Sequence, residues 1–279
     1  MRIKMLYLIS ALLVITLTTC QPTDTTTNSK PGMPTIDDPE ALEYSVPYEE
    51  IANFNSQTAC DHPYFPMRIG SVWKYVDDDG NTLTWNVTQI SGDLKSAYAV
   101  VEVESVVEGQ TSSNTAKWYC DEDGIFAAEW EPIPTVVSDG TTYVYTYRWG
   151  GILLPPPEQI FVGSAWSNDY ENTYDILAND IMYPSQLCIN HAEEFTVQGI
   201  DKIIVPAGEF DAVNVAAYIT QKDATLNIGR QVLFEICQES ENVWLAKGVG
   251  LVRLSGQRVT DGSASISDID ISLVEYSIP

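Results

Sequence analysis

The sequence predicts a mainly β protein: an antiparallel, curved sheet of half-barrel or sandwich-like form, with two similar halves as an open arrangement. Three observations predict it. Short runs of β-branched and aromatic residues alternate with Asp, Gly and Asn clusters along most of the chain, the spacing of strands joined by tight turns. Period-two alternation puts Tyr143, Tyr145, Tyr147 and Trp149 on one face and Thr142, Val144, Thr146 and Arg148 on the other. Helical periodicity is confined to residues 41–54 and 170–182, each able to carry a turn or two.

The elements follow in order. Residues 72–76 and 82–90 flank Asp77-Asp78-Asp79-Gly80-Asn81, the composition of a hairpin loop. Residues 97–107 and 115–120 form a second hairpin through Glu108-Gly109-Gln110, and Asp121-Glu122-Asp123-Gly124 turns the chain into residues 125–130. Farther on, residues 195–205, 212–221, 230–237, 250–258 and 266–276 read as strands. Ile69-Gly70-Ser71-Val72-Trp73 and Val162-Gly163-Ser164-Ala165-Trp166 match in type 93 residues apart. They are either the same point of two repeated halves or two similar strand starts in which Gly bends the backbone and Trp packs. Leu153-Leu154-Pro155-Pro156-Pro157 lies between them as a stiff connector.

The N-terminus is an export signal. Met1-Arg2-Ile3-Lys4 is basic, and residues 5–17 are an apolar stretch of 13 residues broken only by Ser10 and Thr16, too short to span a bilayer. Leu17-Thr18-Thr19-Cys20 closes it and resembles the end of bacterial lipoprotein leaders, although Thr19 stands where that family carries Gly, Ala or Ser. The resemblance implies cleavage before Cys20 and its lipidation. Residues rich in Thr, Pro, Ser and Asp follow, too poor in large apolar groups to fold alone. The expected organisation is therefore a signal peptide (1–19), a lipid-anchored tether (20–58) and a β-rich domain (59–279), in which 59–152 and 153–279 are the halves on the repeat reading of the echo. The expected address is the bacterial cell envelope outside the cytoplasm, at the outer membrane or cell surface.

Loss of Arg2 and Lys4 with the leader takes the net charge from −25 to −27. Such a chain repels polyanions, which disfavours nucleic acid, and none is expected as a partner. In an exported chain Cys60, Cys120, Cys188 and Cys237 are disulfide candidates. Three connectivities exist; Cys60 with Cys120 and Cys188 with Cys237 would staple one half each.

Tyr64-Phe65-Pro66 with Gly70 and Trp73, the Gly163–Trp166 echo, Val205-Pro206-Ala207-Gly208-Glu209-Phe210-Asp211-Ala212, and Trp244 with Gly248-Val249-Gly250 together resemble a broad set of uncharacterised bacterial exported proteins and lipoproteins. The Val-Pro-Ala-Gly-x-Phe-Asp segment is the most specific element, with Glu209 in place of the more usual Thr. The resemblance implies a curved antiparallel sheet and no established enzyme activity. More distantly the chain is similar to half-barrel lipoprotein carriers, a likeness of fold alone.

No reaction is written in the residues. With two histidines, His62 and His191, multi-histidine metal sites are excluded, and Cys60-x-His62 with Cys188-x-x-His191 is a poor zinc set in an oxidising compartment. The acidic turns lack the EF-hand spacing, and no Gly-x-Ser-x-Gly, phosphate loop or paired-cysteine redox motif occurs. No cofactor, metal or catalytic residue is expected. The 7 Trp and 15 Tyr could line a groove or fill a core. The expected function is noncatalytic binding of a hydrophobic or glycan ligand, or of an envelope partner, by a membrane-tethered domain. An envelope assembly protein and an acid–base hydrolase are the alternatives. Intact-mass analysis of membrane-extracted protein should find a mature chain that begins at acylated Cys20; a chain beginning at Gln21 or later without acyl groups would refute the anchor.

Overall fold

The computed structural model describes residues 54–130, 133–136, 142–146, 148–178, 181–226, 230–232, 238–260 and 265–279. Among them there is no α-helix; a single 3-10 turn spans Pro157–Gln159. Two short strands, β1 (Asp61–His62) and β2 (Phe65–Pro66), pair with each other. The rest form one antiparallel sheet. Its strands are β3 (Val72–Asp77), β4 (Thr82–Gly92), β5 (Ser96–Val107), β6 (Gln110–Asp121), β7 (Gly124–Trp130), β8 (Ile133–Val136), β9 (Thr142–Thr146) and β10 (Arg148–Leu154). They continue with β11 (Ala165–Ala178), β12 (Ile181–Val205), β13 (Gly208–Leu226), β14 (Arg230–Val232), β15 (Gln238–Ala246), β16 (Gly250–Thr260) and β17 (Ser265–Ser277).

The sheet order is β10-β7-β6-β5-β4-β3-β17-β16-β15-β13-β12-β11, extended by β9 and β8 beyond β11 and by β14 beside β13. Each main strand thus lies beside its neighbour in the chain, and β3 pairs with the last strand, β17. The two ends of this path meet. β9 pairs with β11 with Thr146 opposite Thr173, and the same register carried along β10 sets Gly151 opposite Asn168. A Cβ on Gly151 would collide with the Asn168 side-chain amide, so only glycine lets β10 lie this close to β11 while it pairs with β7 on its other side. The curved sheet therefore winds past a half-barrel to near closure.

Residues 170–178, where helical turns were expected, are strand: they pair with β12 on one side and β9 on the other. Cross-strand pairing outweighs local periodicity there, since a helix would leave both ladders without a partner. Residues 41–53, most of the other predicted helical stretch, lie outside the described residues.

Side chains alternate across the wall. Trp73, Trp85, Val101, Trp118, Val197 and Leu273 are buried inside, whereas Glu102, Glu104 and Glu194 face water. Arg253 and Asp270 form an ion pair on the outer side. Apolar-in and polar-out is the reverse of a membrane-spanning barrel.

Eight strands make a barrel about as wide as side chains can fill, and the twelve here enclose more. At one end the surplus is filled by the segment before β3, of which Cys60, Tyr64, Phe65 and Met67 are buried. Phe65 stacks on Trp73 at 5.0 Å and meets Trp85 and Trp118 at 5.8 and 6.0 Å. The segment is fastened to three separate turns. Ala59 N–H donates to the Asp93 carbonyl (2.8 Å), Gly248 N–H donates to the Pro63 carbonyl (2.7 Å), and His62 bonds the Pro155 carbonyl (3.0 Å). A Cys60–Cys120 disulfide adds a covalent tie to the end of β6. We term this the closed end. Residues 54–58, within the bounds expected for the tether, also pack here: Ser56 donates to the Asp61 carbonyl, and the Arg68 guanidinium lies 5.4 Å from the Phe54 ring centre.

The 93-residue echo is built alike at both places. Gly70 N–H donates to the Val87 carbonyl (2.8 Å) and Val87 N–H to the Ser71 carbonyl (2.9 Å); Gly163, Val197 and Ser164 repeat both bonds at the same distances. The serine hydroxyls accept from Arg68 N–H and Phe161 N–H. Both glycines adopt φ +86°, which an L side chain resists. Trp73 then faces Trp85 as Trp166 faces Phe195, and the next pairing slips register after Val87 and after Val197 alike.

Replacing both Cys60 and Cys120 by alanine should lower unfolding stability by about 2–4 kcal/mol, because the bridge closes a loop of 60 residues. Denaturant unfolding with and without reductant measures it; an unchanged midpoint would mean the remaining hydrogen bonds hold the closed end unaided.

Candidate functional site

The interior changes character along its length. Away from the closed end, β12 presents Val197 and Phe195 and then Glu193 and His191; β11 presents Trp166 and then Asn168; β15 presents Leu245 and later Glu241; β5 presents Val103 and then Ser105. The period of two keeps each series on one face. Asn168, His191, Glu193 and Glu241 are only 3, 9, 4 and 6% exposed. Asn168 lies opposite Glu193, and its amide donates to the Glu193 carboxylate at 3.3 Å. Glu241 sits opposite Ala217, which faces Phe195, which faces Trp166, so this carboxylate shares a level with a stacked aromatic pair 5.1 Å apart. The Ser105 and Ser112 hydroxyls bond each other at 2.7 Å.

Several interior polar atoms have no protein partner among the described residues: the Tyr75 hydroxyl, the indole N–H groups of Trp85 and Trp166, and Asn168 Oδ1. Burial pushes the Tyr75 hydroxyl far above its ordinary pKa, so it stays a donor. Three donors and an amide acceptor buried without partners cost the fold about 1–3 kcal/mol each unless water or a ligand meets them. The Tyr75 hydroxyl and the Trp166 N–H stand on the same inner wall as the Trp166–Phe195 stack, a pairing of donors with ring faces that suits hydroxyl groups around an apolar ring; the Trp85 N–H lies within the Phe65 cluster and Asn168 Oδ1 abuts Gly151.

The residues singled out in the sequence fall elsewhere. Cys60 and Cys120 are bridged at the closed end. Cys188 is placed on β12, while Cys237 and Cys20 lie outside the described residues, as does Tyr147 of the aromatic strand face. His62 does not meet a thiolate: Tyr64 N–H donates to its Nδ1 (3.1 Å), so Nε2 carries the proton and donates to the Pro155 carbonyl. Among the described residues no three His, Cys, Asp or Glu side chains gather as a metal site. The acidic turns serve their own backbone. Asp77 accepts from Asn81 N–H and from its amide (2.8 and 2.9 Å), and Asp121 accepts from Asp123 N–H (2.8 Å). Trp73, Trp85 and Trp118 build core rather than a surface groove.

A concavity of about 230 Å³ is a groove at the closed end lined by Gln57, Thr58, Met67, Arg68, Ile69 and Ile90 among others. Beside it Asp61 is buried; burial pushes its carboxyl above the ordinary value against the pull of Gln57 N–H and the Arg68 guanidinium, which pairs with it at 2.9 Å.

No protein-family model matches the chain, and no curated protein matches it. Two solved structures are similar to it. One is a protein classed as a lipoprotein from Parabacteroides distasonis ATCC 8503, at 14% identity and TM-score 0.48, covering 80% of this chain and 100% of that one. The other is a protein classed as exported, with a YmcC-like fold, from Bacteroides fragilis NCTC 9343, at 12% identity and TM-score 0.39, covering 77% and 98%.

Burial lowers both His62 and His191 from 6.5 to about 4. The unfolded chain then takes up protons first as pH falls. The stability held by the neutral rings is complete above pH 6.5, declines through the window down to pH 4 and is level below it. The loss should reach up to about 3 kcal/mol per histidine. Urea unfolding at a series of pH values, with NMR titration of the two imidazoles, checks this; imidazoles that titrate near 6.5 in the folded protein would refute it.

Proposed function

We propose that the protein is a lipid-anchored, extracytoplasmic receptor of the bacterial cell envelope that binds a small glycan, without turnover, in the polar part of the barrel interior. The observation that carries the ligand is the pair of buried, unpartnered donors, the Tyr75 hydroxyl and the Trp166 N–H, on the inner wall that also holds the Trp166–Phe195 stack. Sugars present hydroxyls around an apolar ring face, and indole and phenol groups answer both at once. The location rests on the basic-apolar leader ending at Cys20. An acyl-chain ligand fits less well, because the polar groups of this interior would stay unsatisfied.

One alternative is favoured by a specific observation: Glu193 and Glu241 are both buried inside the same barrel, as the carboxylate pair of a glycoside hydrolase would be. Incubation with oligosaccharides decides between the readings, since a receptor returns them intact.

Titration with chitobiose and cellobiose, followed by tryptophan fluorescence, should give saturable binding, and Tyr75→Phe should weaken it about tenfold, the worth of one buried hydrogen bond. Absence of a response to either sugar, together with native mass spectra of the membrane-extracted protein that show no retained small molecule, would overturn the ligand assignment.

A further inference from the structure

We infer that the closed end of the barrel rests directly on a neutral lipid surface, seated by exposed apolar side chains on its rim; this rests on the reading that Cys20 carries the anchor. Seven large hydrophobic residues are exposed among the described residues; Ile200, Tyr218 and Tyr276 lie along strands at 38, 41 and 38%, and the four most exposed gather at one end. Ile69, Leu94, Phe161 and Ile204 are 62, 61, 49 and 74% exposed. Each belongs to a connection of the closed end: Ile69 precedes β3, Leu94 is in the β4–β5 turn, Phe161 is in the β10–β11 connection, and Ile204 adjoins the β12–β13 turn.

Their placement follows the repeated construction of the two hairpins. Leu94, in the β4–β5 turn, and Ile204, at the end of β12 before the β12–β13 turn, stand at corresponding points, each seven residues after Val87 or Val197. Ile69 and Phe161 stand in the matching loops that enter β3 and β11. Apolar contact points are therefore distributed around the ring, as a flat surface would engage them, rather than gathered on one side as a groove-filling partner would. The groove lined by Met67, Ile69 and Ile90 opens beside the first of them.

The chain itself indicates which surface this is. The described body begins at Phe54, packed against Arg68 at the same end, and residues 20–53 lead from there to Cys20. The tether that the composition of this segment predicts would reach about 30–35 Å, which would hold this end near the bilayer at high effective concentration. Weak apolar insertion is enough under those conditions. In the connections of the same end exposed Asp93, Glu122, Asp123 and Glu158 outnumber exposed Lys95 and oppose an anionic leaflet, which favours zwitterionic lipid.

The test uses the full acylated chain reconstituted into a supported bilayer of phosphatidylcholine, with neutron reflectometry to read the distance between body and lipid. Acylation is verified first by intact mass: an unacylated chain sinks the anchor reading and is seen before any layer is measured. For the acylated chain we expect the body in contact with the headgroups at low and high salt alike. The Ile69→Ser, Leu94→Ser, Phe161→Ser, Ile204→Ser variant should stand off behind a water layer of the order of the tether length, tens of ångströms. Should that variant misfold, Leu94→Asp with Ile204→Asp, checked by its circular dichroism, should give the same lift. A water layer beneath the acylated wild type, or rim crosslinks to a protein or a second copy in place of lipid contact, would overturn the proposal.

Discussion

The constraint on which the rest depends is geometric: a ring of twelve strands is wider than its inward side chains can fill. An empty core of that width would forfeit dispersion contacts along the whole wall. The chain answers by turning the segment before β3 into the ring, with Phe65 among Trp73, Trp85 and Trp118. Much else follows from this insertion. It explains why His62 is buried and neutral, why Asp61 lies buried against Arg68, and why a disulfide joins Cys60 to a strand end rather than joining two strands of one hairpin. Because the inserted segment occupies one end, the polar residues of β11, β12 and β15 are left to meet something else at greater depth.

Much of the fold was legible because it is local. The Asp77–Asn81 loop, the Glu108-Gly109 turn and the Val205-Pro206-Ala207-Gly208 reversal announce themselves through residues suited to them, and each joins adjacent strands. β15 was missed because Gln238-Glu239-Ser240-Glu241-Asn242 is polar throughout, and its strand character comes from the neighbours β13 and β16. Residues 170–178 were misread for the same reason. Closure of the ring was not legible at all: it turns on one glycine, Gly151, that meets Asn168 only after the sheet has wound round.

The candidate site was less legible than the fold. His62 and the paired cysteines drew notice by residue type and proved structural, whereas Asn168, Glu193 and Glu241 look like ordinary surface residues. A signal did exist. Trp166-x-Asn168 and Glu193-x-Phe195-x-Val197 place polar groups in phase with core aromatics, which alternation alone marks as inward. Reading them so requires knowing which face is interior, and that knowledge comes only with the assembled sheet. The Gly-Ser-x-Trp echo, by contrast, carried more than five residues suggest, since the backbone bonds around it recur one for one.

The pairing of β3 with β17 has a consequence for how the molecule is made. Val72 finds its partner in Ser277, 205 residues later, so the first barrel strand has an open edge until the last one is synthesised. Contacts of such sequence separation close slowly, and an unpaired edge invites association with other chains meanwhile. Cys60 and Cys120, in contrast, are both delivered early, within the first hairpins. An oxidised N-terminal half can therefore persist as a half-finished ring, with its aromatic floor set and one edge waiting. The molecule's vulnerable species is that intermediate, and its abundance is governed by how quickly the final strand arrives.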